Sequence, residues 1–208
     1  MLKIINFILE KIAVKFNNFK LKKFVDSGFI TVEKIIVKLS KLHKMYLSFY
    51  EELISLEVEF ADISNKDKIL HIGCGPLPAT AIILAEKTNA NITAIDKNPR
   101  SVKQANKCVT KQIKTNKINI LLSDALNFSY KNYNVIIISQ GIKPCKKILE
   151  NISKNIKNET RLIYRTSTDN SGKLSENDAF LKDFFKIIDI KYHKKNGLLI
   201  SVLLKKIN

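Results

Sequence analysis

The chain has few cysteines, and their arrangement indicates neither cross-links nor metal binding. Cys74, Cys108 and Cys145 are odd in number and widely spaced, and no two form a Cys-x-x-Cys pair. A disulfide framework and a zinc site are therefore not indicated. We expect a reducing, cytoplasmic location and assign no metal ligands.

Long apolar runs are missing as well. Residues 1–24 are rich in Ile, Phe and Leu, but Lys3, Glu10, Lys11 and Lys15 interrupt them, and no small-residue cleavage site follows. This pattern predicts neither a signal peptide nor a membrane span.

Turn-forming residues are scarce in the first part of the chain. Residues 1–61 contain no proline and a single glycine, Gly28, and their apolar side chains recur at helical spacing. We predict two or three helices, and assign residues 1–62 to a small N-terminal helical cap and residues 63–208 to a second domain. Contact of the first helix with an anionic membrane is the alternative to burial of its apolar face. The apolar residues are Ile5, Ile8, Leu9, Ile12, Phe16, Phe19, Ile35, Leu39, Leu42, Met45, Phe49, Leu53 and Leu56.

Acidic residues are outnumbered by basic ones. The chain has 36 Lys and Arg against 19 Asp and Glu, a formal net charge of +17. Such a surface attracts carboxylates and polyanions and binds nucleic acid non-specifically at low salt. The lysines are scattered rather than clustered, so we expect a solvated surface and no specific nucleic-acid partner. A length of 208 residues with 45% hydrophobic content suits one well-packed core with a small addition.

From Asp67 onward, short β-rich runs alternate with amphipathic stretches. This predicts an α/β domain with a mainly parallel sheet and helices on both faces. The last two strands flank a turn at 195–197 and predict an antiparallel hairpin, which is typical of the Rossmann-like class I methyltransferase fold. The predicted strands are 68–72, 92–96, 118–121, 135–139, 161–165, 187–193 and 198–204, and the predicted helices are 77–88, 99–110, 144–156 and 174–184.

The most informative segment is Ile69–Thr80, an apolar run that ends in a Gly-x-Gly turn. Gly73 and Gly75 permit backbone angles and a close ligand approach that other residues forbid, while Pro76 and Pro78 fix φ where a helix begins. A dinucleotide fingerprint would have a third glycine at the position of Pro78. The motif therefore indicates S-adenosyl-L-methionine rather than NAD, since this ligand has no pyrophosphate to place at a helix N-terminus.

Two aspartates follow the next strands. Asp96 ends the second strand, where a carboxylate accepts hydrogen bonds from ribose hydroxyls, although capping of the helix at Pro99 is an alternative. Asp124 follows the third strand, where such domains bind the adenine amino group, and an N-cap of a short helix is equally consistent with the spacing.

The end of the fourth strand lacks a common methyltransferase motif. Amino-directed nucleic-acid methyltransferases have Asn/Asp-Pro-Pro-aromatic there, whereas this chain has Ser139–Ile142. Cys145 follows Pro144 at the start of a predicted helix, so we expect a buried or surface thiol rather than a nucleophile.

Residues 73–80 resemble the Gly-x-Gly-Pro-Leu-Pro-x-Thr signature of the nicotianamine synthase family, which is the specific part of the match. The resemblance extends over about residues 43–208. Tyr50, Leu53 and Glu57 are in register with the family's tyrosine-rich helix. Further similar segments are Tyr164–Ser167, which resembles a Leu-Arg-Ser segment, Tyr192, and the closing strand Leu199–Leu204.

The resemblance implies aminocarboxypropyl transfer. An amine would attack the γ-carbon of S-adenosyl-L-methionine, the substrate, and release 5′-methylthioadenosine. The partner would be a small amine or amino-acid acceptor, and repeated transfer would give a metal-chelating, nicotianamine-like metallophore. The sequence leaves the acceptor and the oligomeric state open, a homodimer included.

Such a reaction needs a deprotonated amine and donors for substrate carboxylates. The resemblance implies that Glu57 is the catalytic base. Tyr50 and Leu53 share its helical face, which would place Glu57 and Tyr50 in one cleft. A solvated glutamate is the alternative for Glu57. Arg165, one of three arginines, is predicted to bind a substrate carboxylate. Tyr50, which we assign to the catalytic residues with Glu57, and Tyr46 are predicted to donate hydrogen bonds to substrate carboxylates, and core packing is the alternative for both.

The three histidines suggest no metal site. We expect His71, inside the first strand, to be a core residue with satisfied hydrogen bonds. His43 and His193 are expected to be single histidines without partners.

Two other functions stay open from the sequence. One is a class I methyltransferase acting on a small molecule or RNA. The other is a non-catalytic domain that binds S-adenosyl-L-methionine or serves as a vestigial partner subunit.

Overall fold

The computed structural model describes residues 40–112, 116–169, 171–193 and 199–207. Of the predicted cap it shows one helix, α1 (Ser40–Phe60). The earlier predicted cap helices, with their apolar positions from Ile5 to Leu39, lie outside the described residues, and the domain boundary at 62/63 stays a prediction.

One sheet of seven strands forms the centre of the described chain, in the order β3-β2-β1-β4-β5-β7-β6. The first five strands are parallel, and β7 runs antiparallel to both β5 and β6. The predicted parallel sheet with an antiparallel pair at one edge is therefore confirmed, although the predicted turn at 195–197 lies outside the described residues. The elements are β1 (Lys68–Ile72), α2 (Ala79–Thr88), β2 (Asn91–Asp96), α3 (Pro99–Gln112), β3 (Ile118–Leu122), β4 (Val135–Ile138), α4 (Cys145–Asn155), β5 (Arg161–Ser167), β6 (Phe185–Tyr192) and β7 (Leu199–Lys206), with 3₁₀ helices at Ala125–Asn127 and Glu176–Asp183.

Helices cover both faces of the sheet and create two apolar cores. The first core lies beneath α1, α2 and α3, and the second lies beneath α4 and the two 3₁₀ helices. All four residues of β4 are buried, because a central parallel strand contributes side chains to both cores.

Several elements differ from the sequence prediction in their bounds, and two of the differences have a clear physical cause. The predicted helix 174–184 is a 3₁₀ helix, which begins where the Ser175 side chain accepts a hydrogen bond from the Asn177 backbone N–H. Serine, asparagine and aspartate compete with helical hydrogen bonding in this way. β5 continues to Ser167, beyond its predicted end, because Ser167 pairs with Leu199 of β7.

The strand order places a crevice at the carboxyl ends of the central strands. β1 lies between β2 and β4, so the chain reverses direction across the sheet at this point. Open α/β sheets bind ligands at such a switch point. Within the described ranges, no helix is both long and apolar enough to cross a membrane.

Candidate active site

A cavity of about 620 Å³ lies at the carboxyl ends of β1 to β5, within the size range of small-molecule sites. Its walls come from two halves of the sheet. We call the part that follows β1, β2 and β3 the glycine-turn end, lined by Gly73, Gly75, Asp96, Asn98 and Asp124. We call the part built by α1, α2, β1, β4 and β5 the arginine end, lined by Tyr50, His71, Thr80, Ser139 and Arg165.

The glycine turn is held by β2. Gly73 and Gly75 have φ angles of +82° and +65°, which favour glycine. The backbone N–H groups of Gly73 and Cys74 donate to the Ile95 carbonyl at 2.9 and 3.1 Å. A Cβ on Gly73 would lie 2.9 Å from Ile142 Cγ2, so the turn also packs closely against the segment after β4.

The two prolines have different positions. Pro78 is the N-cap of α2 and makes no side-chain cap, so the helix begins at Ala79 rather than at the predicted Leu77. Pro76 is buried beside the turn and does not line the cavity.

Asp96 fastens the glycine turn to the end of β2. Its Oδ2 accepts from the Gly75 N–H at 2.9 Å, and its Oδ1 accepts from the Asn98 N–H at 2.8 Å. The cap of α3 is Asn98, whose Oδ1 accepts from the N–H groups of Arg100 and Ser101. Asp96 therefore does not cap the helix, and its half-buried carboxylate lines the cavity.

Asp124 is both a cap and a cavity residue. Its Oδ1 accepts from the Leu126 N–H at 2.9 Å and so caps the 3₁₀ helix Ala125–Asn127. The side chain is exposed and lines the cavity beside Ala125. The capping role is thus present, and contact with adenine stays a prediction.

A buried ion pair forms the wall of the arginine end. Arg165 Nε donates to Glu57 Oε1 at 2.8 Å, and Nη2 donates to Oε2 at 2.7 Å. The third nitrogen, Nη1, donates to Thr80 Oγ1 at 2.8 Å. The exposed fractions of Arg165 and Glu57 are 4% and 0%, so the pair is shielded from water. Two-point geometry of this kind is what compensates a buried carboxylate.

Two more polar side chains lie behind Glu57. Ser201 Oγ donates to Glu57 Oε1 at 2.5 Å, and His193 Nε2 lies 2.8 Å from Ser201 Oγ. The expectation that His193 has no partner is therefore wrong. The antiparallel register of β5 and β7 explains the cluster, since it places Ser201 directly opposite Arg165.

The position of Glu57 differs from the sequence expectation. Tyr50 lines the cavity as predicted, but Glu57 does not, because the longer Arg165 side chain lies between it and the opening and also neutralises it. Glu57 is not a solvated glutamate either, since it is fully buried. The side chain of Tyr46 lies outside the described part of α1.

His71 pairs with Ser139 at the same end. Its Nε2 lies 2.8 Å from Ser139 Oγ, while its Nδ1 has no hydrogen-bond partner among the described residues. The expectation of a fully satisfied core histidine is thus only half right. Burial, with a smaller contribution from the Arg165 charge, lowers the pKa of His71 to about 3, so the ring is neutral near pH 7.

Cys145 is not part of the cavity wall. It is half-buried at the start of α4, and its Sγ donates to the Tyr164 hydroxyl at 3.3 Å. Within the described segments, no group of three or more His, Cys, Asp or Glu is placed to hold a metal ion.

A family model described as nicotianamine synthase protein matches residues 25–200. The chain belongs to the nicotianamine synthase family. It is accordingly a transferase that uses S-adenosyl-L-methionine, and the resemblance in the proline-flanked glycine turn is confirmed. A comparison with curated protein sequences gives no match.

Solved structures agree with this fold. A glutamate-to-glutamine mutant of MtNAS in complex with S-adenosylmethionine has a TM-score of 0.75 and 22% identity, covering 90% of this chain and 77% of that one. MtNAS in complex with MTA and tNA has a TM-score of 0.78 and 20% identity, covering 91% and 75%. The mitomycin 7-O-methyltransferase MmcR has a TM-score of 0.65 and 15% identity, covering 78% and 54%. The nicotianamine synthase fold here is thus also a class I methyltransferase fold.

Sequence reasoning missed several residues of the site. Thr80, Ser139 and Ser201 were not predicted to contact the charged groups or His71. Ser201 carried a usable signal, because it is the single polar residue in the apolar run 199–204 and must be buried with it.

Proposed function

We propose that this chain transfers the aminocarboxypropyl group of S-adenosyl-L-methionine to the amine of a small acceptor. The observation that supports this most is a single cavity that joins the glycine turn and Asp96 to Tyr50 and Arg165. The nucleoside occupies the glycine-turn end. Asp96 binds the ribose hydroxyls there and Asp124 binds the adenine amino group. Each oxygen of Asp96 already accepts one backbone N–H, and a carboxylate has about four acceptor sites, so capacity for both hydroxyls is left.

The acceptor occupies the arginine end. Its amine nitrogen attacks the γ-carbon of the methionine moiety, the bond from that carbon to sulfur breaks, and the electron pair moves to sulfur. The leaving group is neutral 5′-methylthioadenosine, and the amine loses one proton. The cavity holds the amine nitrogen in line with the carbon–sulfur bond, at about 3–3.5 Å from the γ-carbon.

Glu57 receives that proton. A substrate carboxylate at the arginine end accepts hydrogen bonds from Arg165 and from Tyr50. Arg165 then divides its hydrogen bonds between this carboxylate and Glu57, so its contact with Glu57 becomes weaker. Arginine suits this exchange because its planar fork serves two carboxylates. Repetition of the transfer gives a product with several linked carboxylates, a metallophore that chelates metal ions.

The products distinguish the possible reactions. The purified chain is incubated with S-adenosyl-L-methionine alone, with L-glutamate and with L-histidine, and the nucleoside products are separated. Accumulation of methylthioadenosine is expected. S-adenosylhomocysteine instead would show methyl transfer, and neither product would show a non-catalytic domain; both outcomes would overturn the proposal.

Replacement of Glu57 tests its part. Glu57→Gln keeps the size and removes the basic carboxylate, so binding of S-adenosyl-L-methionine by calorimetry is expected to stay and turnover to fall by about 100-fold or more. Glu59→Gln is the matched control, because Glu59 is exposed on the same helix. Equal activity in the two variants would remove Glu57 from the mechanism.

A further inference from the structure

Ser201 and His193 form a buried polar chain that ends on Glu57. Ser201 is 0% exposed and His193 is 3% exposed. Ser201 belongs to β7, whose neighbouring residues Ile200 and Val202 are fully buried apolar side chains. Burial of such polar groups is costly, and the Nδ1 of His193 has no hydrogen-bond partner among the described residues. Apolar residues of similar size would stabilise the strand at least as well.

The hydrogen bonds in this chain have one direction. Both oxygens of Glu57 accept hydrogen bonds from Arg165, so Glu57 is the acceptor at this end of the chain of contacts. A serine hydroxyl has one hydrogen, and the 2.5 Å contact commits it to Glu57 Oε1. His193 must therefore donate its Nε2–H to Ser201 Oγ across the 2.8 Å contact. The direction fixes the tautomer of His193.

The charges around His193 are compatible with a neutral ring. Burial is the largest influence and lowers its pKa, Arg165 lowers it further, and the carboxylates of Glu57 and Glu52 act in the opposite direction. A neutral ring adds no charge to the Glu57 and Arg165 pair. It supplies a donor to Ser201, and its other ring nitrogen, Nδ1, has no hydrogen-bond partner among the described residues.

We propose that Ser201 and His193 are positioning residues that hold the Glu57 carboxylate in its reactive orientation when a substrate draws on Arg165. This inference rests on the proposed transfer reaction. Arg165 Nε and Ser201 Oγ both donate to Oε1. When Arg165 is shared with a substrate carboxylate, Ser201 keeps Oε1 in place, and the Nε2–H of His193 keeps the Ser201 hydroxyl pointed at Glu57.

Kinetics of variants test the inference with S-adenosyl-L-methionine and L-glutamate as substrates. Ser201→Ala removes one hydrogen bond to a charged group, so kcat is expected to fall by about 10- to 100-fold with KM for S-adenosyl-L-methionine unchanged. The acidic limb of the kcat profile should move to higher pH, because a hydrogen bond to the ionised form of a carboxylate favours that form. His193→Leu should lower kcat in the same way, and His193→Gln, which retains an N–H donor, should restore most of it.

Ser153→Ala is the matched control. Ser153 is a buried serine on α4 whose hydroxyl donates to the Glu150 carbonyl at 2.8 Å, so its loss removes a comparable contact away from Glu57. Full activity and an unmoved pH profile are expected for it. Equal kcat values for Ser201→Ala and Ser153→Ala would overturn the positioning role. If the unmodified chain still released methylthioadenosine, the transfer reaction itself would stand. No methylthioadenosine from the unmodified chain would overturn both.

A spectroscopic measurement tests the tautomer of His193 in the unmodified chain. Nitrogen NMR of the ¹⁵N-histidine-labelled chain, assigned by subtraction of the His193→Gln spectrum, should show the Nε2–H tautomer of His193 near pH 7. That tautomer should lose its preference in Ser201→Ala. An Nδ1–H tautomer in the unmodified chain would reverse the direction of the hydrogen bonds and overturn the inference.

Discussion

The two ends of the cavity are built in different ways. At the glycine-turn end, the decisive contacts join backbone N–H groups to residues about twenty positions away, as in the bond from Gly75 to Asp96. At the arginine end, the contacts join side chains from opposite parts of the chain, and Glu57 bonds to Ser201 across 144 positions. The glycine-turn end depends on local backbone conformation, whereas the arginine end depends on charged side chains that the tertiary fold brings together.

This difference separates ligand binding from stability. A change at the glycine-turn end disturbs a half-exposed turn on an intact sheet, so it should weaken ligand binding more than folding. A change at the arginine end leaves a charge buried without its partner, which destabilises the folded state.

The largest expected effect is at Arg165. Arg165→Met leaves Glu57 buried and uncompensated, so the free energy of unfolding in urea should fall by about 3–5 kcal/mol. Lys87→Met is the control, because its ion pair with Glu51 is exposed and should contribute about 1 kcal/mol or less. Equal losses in the two variants would show that the buried pair is not a structural requirement.

The next effect concerns pH. The pKa of His71 is about 3 when folded and 6.5 in the reference state, so the unfolded chain binds more protons below pH 6.5. His71 therefore favours folding above pH 6.5, and this contribution is lost as pH falls toward 3. Between pH 6 and 4 the loss should be about 2–3 kcal/mol. Glutamine does not titrate, so the unfolding free energy of His71→Gln should lack this part of the pH dependence. An unchanged dependence of the unfolding free energy on pH would show that His71 is not its source.

An effect of similar size, on ligand binding rather than on folding, is expected at Asp96. Asp96→Ala removes the acceptor of the Gly75 and Asn98 N–H groups and the proposed ribose contact, so binding of S-adenosyl-L-methionine should weaken by about 2–3 kcal/mol. The thermal unfolding midpoint should change little, since the carboxylate is only half-buried. Unchanged affinity by calorimetry would exclude the ribose role.

The smallest effect offers the cleanest pair of variants. Gly73 and Gly172 have similar φ angles of +82° and +78°, but only Gly73 lies at the cavity. Alanine at either position should cost about 1–2 kcal/mol of stability through backbone strain. Only Gly73→Ala, whose Cβ meets Ile142 Cγ2 at 2.9 Å, should also weaken ligand binding. Equal affinity of the two variants would mean that the turn is not a ligand contact.

The sequence predicted the strands closely because their signals are local. β1 has the predicted bounds, and the other parallel strands begin within one residue of prediction. The 3₁₀ helix Glu176–Asp183 was predicted as an α-helix, since apolar spacing does not reveal a side-chain cap such as Ser175. The extension of β5 to Ser167 depends on its pairing with β7, which no local pattern contains.

The candidate site divides in the same way. Gly73, Gly75 and Asp96 line the cavity, and they could be singled out from the sequence because turn geometry and strand spacing follow from short segments of the chain. Glu57 and Arg165 were identified through family resemblance, yet their ion pair was not foreseen. His193 and Ser201 were not connected to them.

The sequence by itself determined the succession of strands and helices along the chain, and it determined the glycine turn. Both follow from effects that act over a few residues, which are hydrophobic periodicity and the backbone freedom of glycine. The nicotianamine synthase resemblance followed from the same short segment. Only the tertiary structure decided that Glu57 lies behind Arg165 rather than in the opening, and that a hydrogen-bonded chain of His193 and Ser201 ends on it. The physical reason is that a buried charge must find its partners in three dimensions, and those partners come from strands and helices far apart in the chain.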